Sequence, residues 1–225
     1  TLQKLSSAYS IIANGGYLTE PTLIDKIQDK NGAIIYRHDK RKCNNCILEK
    51  TEFSNEELKN YEFFPEIEET RKKIISSESA FQMTSLLMGV LERGTAKNIN
   101  HLDFQVAGKT GTTNNNQDAW FIGYNSEITV GVYVGYDSPL TLGKRQTGSN
   151  VAAPIFADFM KRLYEHRKPR PFTVPQDIKF INVDLKTGKP SNKNFVQEAF
   201  KNDFNFESVD NESGVNIVDE FIGFY

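Results

Sequence analysis

The sequence has no long apolar run and no long basic run. Its longest apolar stretches, such as Leu86 to Leu91, fall far short of the roughly 20 residues that a bilayer-spanning helix requires. The formal net charge is −2. Because nucleic-acid binding needs a surface that neutralises phosphates, this charge balance argues against nucleic acid as a partner. We therefore expect neither a membrane segment in this chain nor a nucleic-acid partner.

Cysteine and histidine are scarce, with two Cys and three His in 225 residues. Cys43 and Cys46 form one C-x-x-C in a charged, polar stretch, and His38, His101 and His166 do not lie at zinc-finger spacing from them. This pattern disfavours a four-ligand zinc site. We predict no metal and no other cofactor, and the cysteines form either a tight disulfide or a free surface pair.

The chain also has no initiator methionine and no signal-like opening. It begins "TLQKLSSAYSII", without a basic region or a cleavage site. We expect an excised piece, with any anchor or signal before Thr1. Its length allows one sizeable core, with room for an appendage.

Apolar residues at helical spacing predict three helices. The first begins at Leu2 and stops near Gly15, where a left-handed backbone costs little. The second carries Ser79 and Gln82 as a capping box, and the third has Pro154 in its first turn. The apolar stripes expected to face the core are Met83, Leu86, Leu87, Val90 and Leu91 in the second helix and Val151, Ile155, Phe159 and Leu163 in the third.

Alternating apolar and polar residues predict strands. Asn31-Gly32 separates two such runs, which is a strong hairpin signal. Three further candidates, 104–110, 119–124 and 128–136, follow one another too closely for crossover helices and should form an antiparallel meander. Gly131 and Gly135 leave room for another element on one face of the last strand. The expected fold class is α+β, an antiparallel sheet covered by helices on both sides.

Two segments are charged and lack apolar periodicity. Residues 37–73 are expected to form a surface insertion that carries the C-x-x-C. Residues 169–225 are expected to form a loosely structured C-terminal tail, with one hairpin at 180–192. Residues 1–168 then form the principal domain.

The stretch "VAGKTGTTNNNQDAWFIGY", residues 106–124, admits three interpretations. A P-loop also ends in G-K-[ST], but Asp103 stands where its first glycine is required, so a phosphate cradle is a remote alternative. K-T-G on a strand edge is one motif of penicillin-recognising serine acyltransferases, in which lysine supplies positive potential, a hydroxyl binds a carboxylate and glycine leaves space. An ordinary turn is the third interpretation, as in the second copy, Lys186-Thr187-Gly188.

Four stretches in order carry a more specific resemblance: "AYSIIANGGYLTEPTLIDKIQDKNGAIIY", "MTSLLMGVLERGTAKN", "VAGKTGTTNNNQDAWFIGYN" and "ITVGVYVGYD". They resemble successive landmarks of the transpeptidase domain of class A penicillin-binding proteins, the bifunctional peptidoglycan synthases. The resemblance covers most of residues 1 to about 165. It implies part of a penicillin-binding transpeptidase (β-lactamase-like) fold, with a glycosyltransferase domain upstream in the parent protein.

By this resemblance, Lys109, Thr110, Gly111 and Thr112 line the active-site strand. Lys109 is then catalytic, and the three residues after it bind substrate. The two threonines hold the terminal carboxylate of a D-Ala-D-Ala stem peptide or of a β-lactam, and the Thr112 N–H contributes to the oxyanion hole. The family reaction acylates a serine with the penultimate D-alanine and transfers the peptide to an amine, without a metal.

The family also needs S-x-x-K and S-x-N, and this sequence contains neither. "TLQK" (Thr1–Lys4) and "TRKK" (Thr70–Lys73) have threonine in place of the serine, and neither is a credible nucleophile. We therefore expect the C-terminal portion of a D,D-transpeptidase domain that is inactive on its own. The non-enzymatic alternative is a binding or interaction module with the same fold.

The resemblance also sets expectations for assembly and location. Apolar surface and strand edges left uncovered by the missing part favour a homodimer, formed for example by exchange of an element. The parent would work in the cell envelope, on the periplasmic face of the cytoplasmic membrane, held by an upstream anchor. Such an oxidising compartment favours a short disulfide between Cys43 and Cys46.

Overall fold

The fold is seen in a computed structural model that describes residues 1–44 and 66–206. The chain divides into two units by its internal contacts. One unit is formed by Thr1–Thr19 and the chain from Lys73 onward, and the other is Glu20–Lys72. Cys46 and most of the predicted insertion lie outside the described residues. Within the described part of the chain, no helix is both long and apolar enough to cross a membrane.

The smaller unit contains two short antiparallel ribbons. In the first, β1 (Lys26–Gln28) pairs with β2 (Ile34–Arg37), and in the second, β3 (Cys43–Asn44) pairs with β4 (Glu66–Ile67). The hairpin predicted at Asn31-Gly32 is confirmed, since Gly32 has φ +87° and the Asp29 carboxylate accepts from the Asn31 N–H at 2.8 Å. Cys43, on β3, is disulfide-bonded.

A three-stranded antiparallel sheet forms the centre of the larger unit. Its strands are β5 (Ala107–Thr112), β6 (Asp118–Tyr124) and β7 (Thr129–Gly135), in the order β5-β6-β7. The predicted meander is therefore confirmed. The register places Lys109 opposite Ile122 and Gly111 opposite Trp120. Since paired residues in an antiparallel sheet share a face, Lys109 and Gly111 lie on the same face as Ile122 and Trp120.

Helices cover both faces of this sheet, as predicted. The helices are α1 (Leu2–Ala13), α2 (Ser77–Glu92) and α3 (Ala153–Leu163), the last preceded by a π-helical turn, Gly148–Ala152. On one face Ala107 and Tyr124 pack against Leu87 of α2, and on the other Phe121 packs against Phe156 of α3. Gly131 allows α1 to approach β7, because a Cβ there would lie 2.8 Å from Leu2 Cδ1.

The predicted apolar face of α3 is wrong. Ile155, Phe159 and Leu163 are 50%, 46% and 41% exposed. The residues that face the sheet are Ala153, Phe156, Ala157 and Met160, all buried. Alanines on that side let the helix axis come close to the strands, so that Phe156 and Met160 reach the core. A stripe chosen by side-chain size overlooked small residues that permit close packing.

The expected start of α2 is wrong, and its expected core face is right for Leu87, Val90 and Leu91 only. Its N-cap is Ser76, whose hydroxyl accepts from the Ser79 N–H at 3.2 Å. Gln82 does not close a capping box but donates from Nε2 to Ala199 O at 3.1 Å. Met83 and Leu86 are exposed. The buried residues of the helix are Ala80, Thr84, Leu87, Gly89 and Leu91. The buried face is therefore rotated about the helix axis from the predicted one and includes smaller side chains.

The hairpin expected at 180–192 forms, with longer strands. Its strands are β8 (Ile178–Asp184) and β9 (Phe195–Lys201), which pair antiparallel. Besides the bond from Gln82, an ion pair joins Arg93 to Glu198, and the rings of Phe81 and Phe180 lie 6.0 Å apart. The hairpin is thus held against α2 by polar and aromatic contacts.

Candidate functional site

The four predicted site residues, Lys109 to Thr112, are the last four of the six residues of β5. Among the strands that the structure describes, β5 pairs with β6 alone, so its other side is an open edge. Lys109 and Thr112 are exposed, and Thr110 and Gly111 are half-buried. An open strand edge offers unpaired backbone N–H and C=O groups, which can bind an extended peptide.

The Lys109 side chain lies along its own strand and contacts the backbone of the next residue. Its Nζ donates to Thr110 O at 3.1 Å. Within residues 1–44 and 66–206, no carboxylate forms an ion pair with it. An exposed ammonium without an acidic partner leaves positive potential at the strand edge, which favours an anionic ligand.

The Thr110 hydroxyl has a partner from another part of the fold. Its Oγ1 lies 2.8 Å from the Oγ1 of Thr95, which follows the C-terminal end of α2. Either hydroxyl can be the donor in this pair. The pair therefore ties the middle of the K-T-G to the segment after α2.

The Thr112 hydroxyl is held from the other direction. The backbone N–H of Gly148 donates to Thr112 Oγ1 at 3.0 Å. Gly148 begins the π-helical turn that leads into α3. Strand alternation places Thr110 and Thr112 on the face opposite Lys109, so the two hydroxyls lie together along one side of the strand and the ammonium on the other.

The sequence did not predict that Thr95 and Gly148 contact the site. They lie 15 and 36 residues from their partners on β5, and neither belongs to a motif that predicts the contact. The one available signal was a glycine a few residues before a predicted helix. Glycine is too common in such places for that signal to identify a contact with a distant strand.

An aromatic pair lies beside Gly111 on the Lys109 face. The ring centroids of Trp120 and Tyr133 are 4.6 Å apart, and the Tyr133 hydroxyl donates to Asp118 Oδ1 at 2.8 Å. That bond to the Asp118 carboxylate raises the pKa of Tyr133 above its usual range. The pair extends the site across β6 and β7 with apolar surface.

The phosphate-cradle alternative is wrong on geometry. Gly108, Lys109 and Thr110 lie inside β5 rather than in a turn. The chain then reverses through Asn115 and Asn116, with φ +60° and +51°, directly into β6. A P-loop needs a glycine-rich turn that enters a helix, and this segment joins two strands.

No metal centre accompanies the site in the described ranges. Within them, no group of three or more His, Cys, Asp or Glu side chains is placed to hold a metal ion. A cleft of about 400 Å³ lies elsewhere in the larger unit, lined by residues that include Ile12, Phe81, Thr84 and Phe172. None of the four site residues lines this cleft, so it is separate from the open edge of β5.

Comparison with known proteins decides the family. The penicillin-binding protein transpeptidase domain family matches residues 1–161. The chain belongs to this family. The match includes the whole three-stranded sheet, α1, α2, all but the last two residues of α3 and the K-T-G on β5, but not the second K-T-G at 186–188.

Curated penicillin-binding relatives confirm the assignment. Penicillin-binding protein 1A of Rickettsia bellii is 44% identical over 201 residues, which are 89% of this chain and 25% of the relative. Penicillin-binding protein 1A of Rickettsia typhi is 43% identical over 222 residues, which are 99% of this chain and 27% of the relative. The chain thus spans about a quarter of the length of these relatives.

A solved penicillin-binding protein has the same fold. Penicillin-binding protein 1A from Haemophilus influenzae superposes with a TM-score of 0.68 at 25% identity, covering 88% of this chain and 31% of that one. The predicted α+β class and the penicillin-binding transpeptidase fold are therefore confirmed.

Proposed function

We propose that the chain is the C-terminal part of the transpeptidase domain of a class A penicillin-binding protein. The domain portion is residues 1–168, followed by a C-terminal tail, 169–225. The whole protein, meaning the polypeptide that carries these 225 residues, would be a serine-type D-Ala-D-Ala transpeptidase that cross-links peptidoglycan, with a glycosyltransferase domain upstream. The family match over residues 1–161 supports this assignment.

The arrangement on β5 carries the proposal. Lys109 would supply positive potential next to the nucleophile. The hydroxyls of Thr110 and Thr112 would donate to the terminal carboxylate of a D-Ala-D-Ala stem peptide or a β-lactam. Gly111 would let the substrate backbone approach the strand, and the Thr112 N–H would donate to the developing oxyanion. The exposed ammonium and the two hydroxyls already lie on one open edge.

The bond-forming group would lie outside this chain. In the proposed reaction a serine oxygen attacks the carbonyl of the penultimate D-alanine, the amide C–N bond breaks, and terminal D-alanine leaves with a proton on its nitrogen. An amine of a neighbouring stem peptide then attacks the ester and releases the serine. Since the sequence has neither S-x-x-K nor S-x-N, the isolated chain would not form the acyl-enzyme.

Intact mass spectrometry after incubation with a labelled penicillin tests both statements. The whole protein should gain the mass of one penicillin, and the isolated 225-residue chain should gain none. An adduct on the isolated chain would refute its inactivity. A whole protein that gains no mass while folded would support a non-catalytic binding module instead.

We also propose that the isolated chain forms a homodimer and that the parent acts in the periplasm, held by an anchor outside this chain. The exposed Ile155, Phe159 and Leu163 on α3 support association, because apolar side chains on one helix face gain from being covered. Sedimentation at high concentration should show a dimer. A monomer there would contradict the first part, and a cytosolic location of the tagged parent would contradict the second.

A further inference from the structure

We propose that Gly148 is a positioning residue for the transpeptidase site, acting through the hydroxyl of Thr112. The proposal rests on the function given above. The Gly148 N–H would fix this hydroxyl as a hydrogen-bond donor toward the carboxylate of the substrate.

The hydrogen bond at Thr112 has only one possible direction. A hydroxyl has one proton and two lone pairs, whereas a backbone N–H can only donate. The contact from Gly148 N to Thr112 Oγ1, at 3.0 Å, therefore occupies a lone pair and leaves the hydroxyl proton unused. Among the described residues, no acceptor takes that proton. Because Thr112 is exposed, the proton is available to a ligand at the open edge.

The position of Gly148 excludes a side chain. A Cβ built on this buried residue would collide with Trp120 O and would lie 2.5 Å from Gly111 O and 3.1 Å from Gly111 N. These atoms belong to the backbone of two paired strands. They cannot move to make room as the end of a flexible side chain can. Gly148 is not among the glycines with positive φ. Glycine is thus required for close approach and not for an unusual backbone conformation.

The segment around Gly148 is held firmly against the strand. The backbone N–H groups of Asn150 and Val151 donate to Thr147 O at 3.0 and 2.9 Å. The Asn98 side chain donates to Ser149 O at 2.8 Å and accepts from the Ser149 hydroxyl at 3.1 Å. These bonds fix the N–H of Gly148 in direction, so the Thr112 hydroxyl is oriented before any substrate arrives.

The second hydroxyl of the site lacks this fixed direction. Thr110 shares its bond with Thr95, and either oxygen can donate. The two threonines would therefore contribute differently: Thr112 as a preset donor, and Thr110 as a hydroxyl whose proton can point either way. Hydrogen bonds between a preset donor and a carboxylate are strong because the donor needs no reorganisation.

The test measures acylation of the whole protein by a penicillin and by the methyl ester of the same penicillin. Alanine keeps the backbone N–H, but its Cβ would force the Gly148 segment away from β5 and so break the bond to Thr112. Gly148→Ala should therefore lower the acylation rate for the carboxylate about 10- to 100-fold, the effect of losing the oriented hydrogen bond from Thr112 to a charged group. The rate for the ester should change by less than about threefold, since the ester offers no charged partner. An equal loss for both compounds would indicate a general structural role and overturn the proposal.

A double-mutant comparison checks that Gly148 acts through Thr112. Thr112→Val should lower the carboxylate rate by a similar factor, and Gly148→Ala should add no further loss in that background. Thr112→Ser should keep most of the rate, and Thr187→Val is the matched control far from the site. A full additional loss in the double variant would overturn the proposal.

Two further controls distinguish misfolding and loss of the proposed function from loss of the role of Gly148. If Gly148→Ala does not fold, a backbone ester at position 148, introduced by protein ligation with glycolic acid, removes the N–H and keeps the space. The same loss is then expected, and an unchanged rate would overturn the proposal. If the wild-type protein is not acylated at all, the proposed function fails; if it is acylated and the variants match it, only the role of Gly148 fails.

Discussion

The chain contains K-T-G twice, and the structure puts the two copies in different settings. Lys109-Thr110-Gly111 lies in an edge strand of the central sheet. Lys186-Thr187-Gly188 follows β8 in a turn, where Asp184 Oδ1 accepts from the N–H groups of Lys186 and Thr187 at 2.8 and 3.0 Å. In the turn Gly188 has φ +65°. The same tripeptide thus forms a strand in one place and closes a loop in the other.

The partners of the two threonines explain the difference. The Thr187 hydroxyl bonds Asp184, three residues away, so its setting is local. Thr110 and, next to the first copy, Thr112 bond Thr95 and Gly148 across the fold. A local hydrogen bond stabilises a turn wherever it occurs. Only tertiary contacts can fix two hydroxyls on one face of an open edge strand whose other face carries an ammonium.

Replacing the two lysines should give the largest contrast. In the whole protein, Lys109→Ala should lower the rate of acylation by penicillin at least about 100-fold, because a preset charge next to the reacting atoms is lost. Lys186→Ala should stay within about twofold of wild type. Stopped-flow acylation with a fluorescent penicillin measures both. Similar losses in the two variants would mean that the first copy has no special role.

Replacing the middle threonines should give a smaller contrast. Thr110→Val should lower acylation roughly tenfold, since one hydrogen bond to a charged carboxylate disappears. Thr187→Val removes only a turn contact and should leave acylation unchanged. The same assay applies, with the melting temperature as a check on folding. A Thr110→Val protein with the wild-type rate would remove this residue from the proposed site.

Thr95 should have a weaker effect, because it touches the site only through Thr110. Thr95→Val should slow acylation about two- to fivefold by freeing the Thr110 hydroxyl. Thr95→Ser retains the hydroxyl and should restore the wild-type rate. If Thr95→Ser is as slow as Thr95→Val, packing of the methyl group and not the hydrogen bond is responsible.

The smallest effect concerns the turn copy and pH. Backbone N–H groups of Thr187 and Lys186 lower the pKa of Asp184 below its ordinary value. The folded-state pKa lies below the unfolded one, so the stabilisation is present above about pH 4 and is lost as the pH falls further. Hydrogen exchange of the 184–188 segment, corrected for intrinsic rates, should show protection that decreases below that pH. In Asp184→Asn this pH dependence should be absent.

Local signals predicted the parts of the fold that local interactions determine. The end of α1 follows from Gly15, with φ +78°, and the first hairpin follows from Asn31-Gly32. The meander follows from its short connections and from the alternation of β7. Each of these features depends on residues close in sequence, so periodicity and turn residues were sufficient.

The features that the sequence did not reveal depend on packing between distant segments. The buried side of α3 was misassigned because Ala153 and Ala157 are small, and small side chains let the helix pack close to the sheet. A stripe chosen for large apolar side chains does not include them. The K-T-G and its following threonine were recognised as a motif. Their partners Thr95 and Gly148 were not, since nothing near either residue encodes a bond to β5.

The ion pair between Arg93 and Glu198 has a practical consequence for any shortened version of this protein. A stop codon placed before β8 would keep Lys109 to Thr112, yet among the described residues Arg93 would retain only the Glu92 carboxylate, at 3.2 Å. Removing one partner of a partly buried ion pair leaves a poorly compensated charge, which destabilises the segment that carries it, and Arg93 is two residues from Thr95. Truncations at the C-terminus and substitutions in the K-T-G would then resemble one another in a penicillin-labelling gel, for unrelated physical reasons.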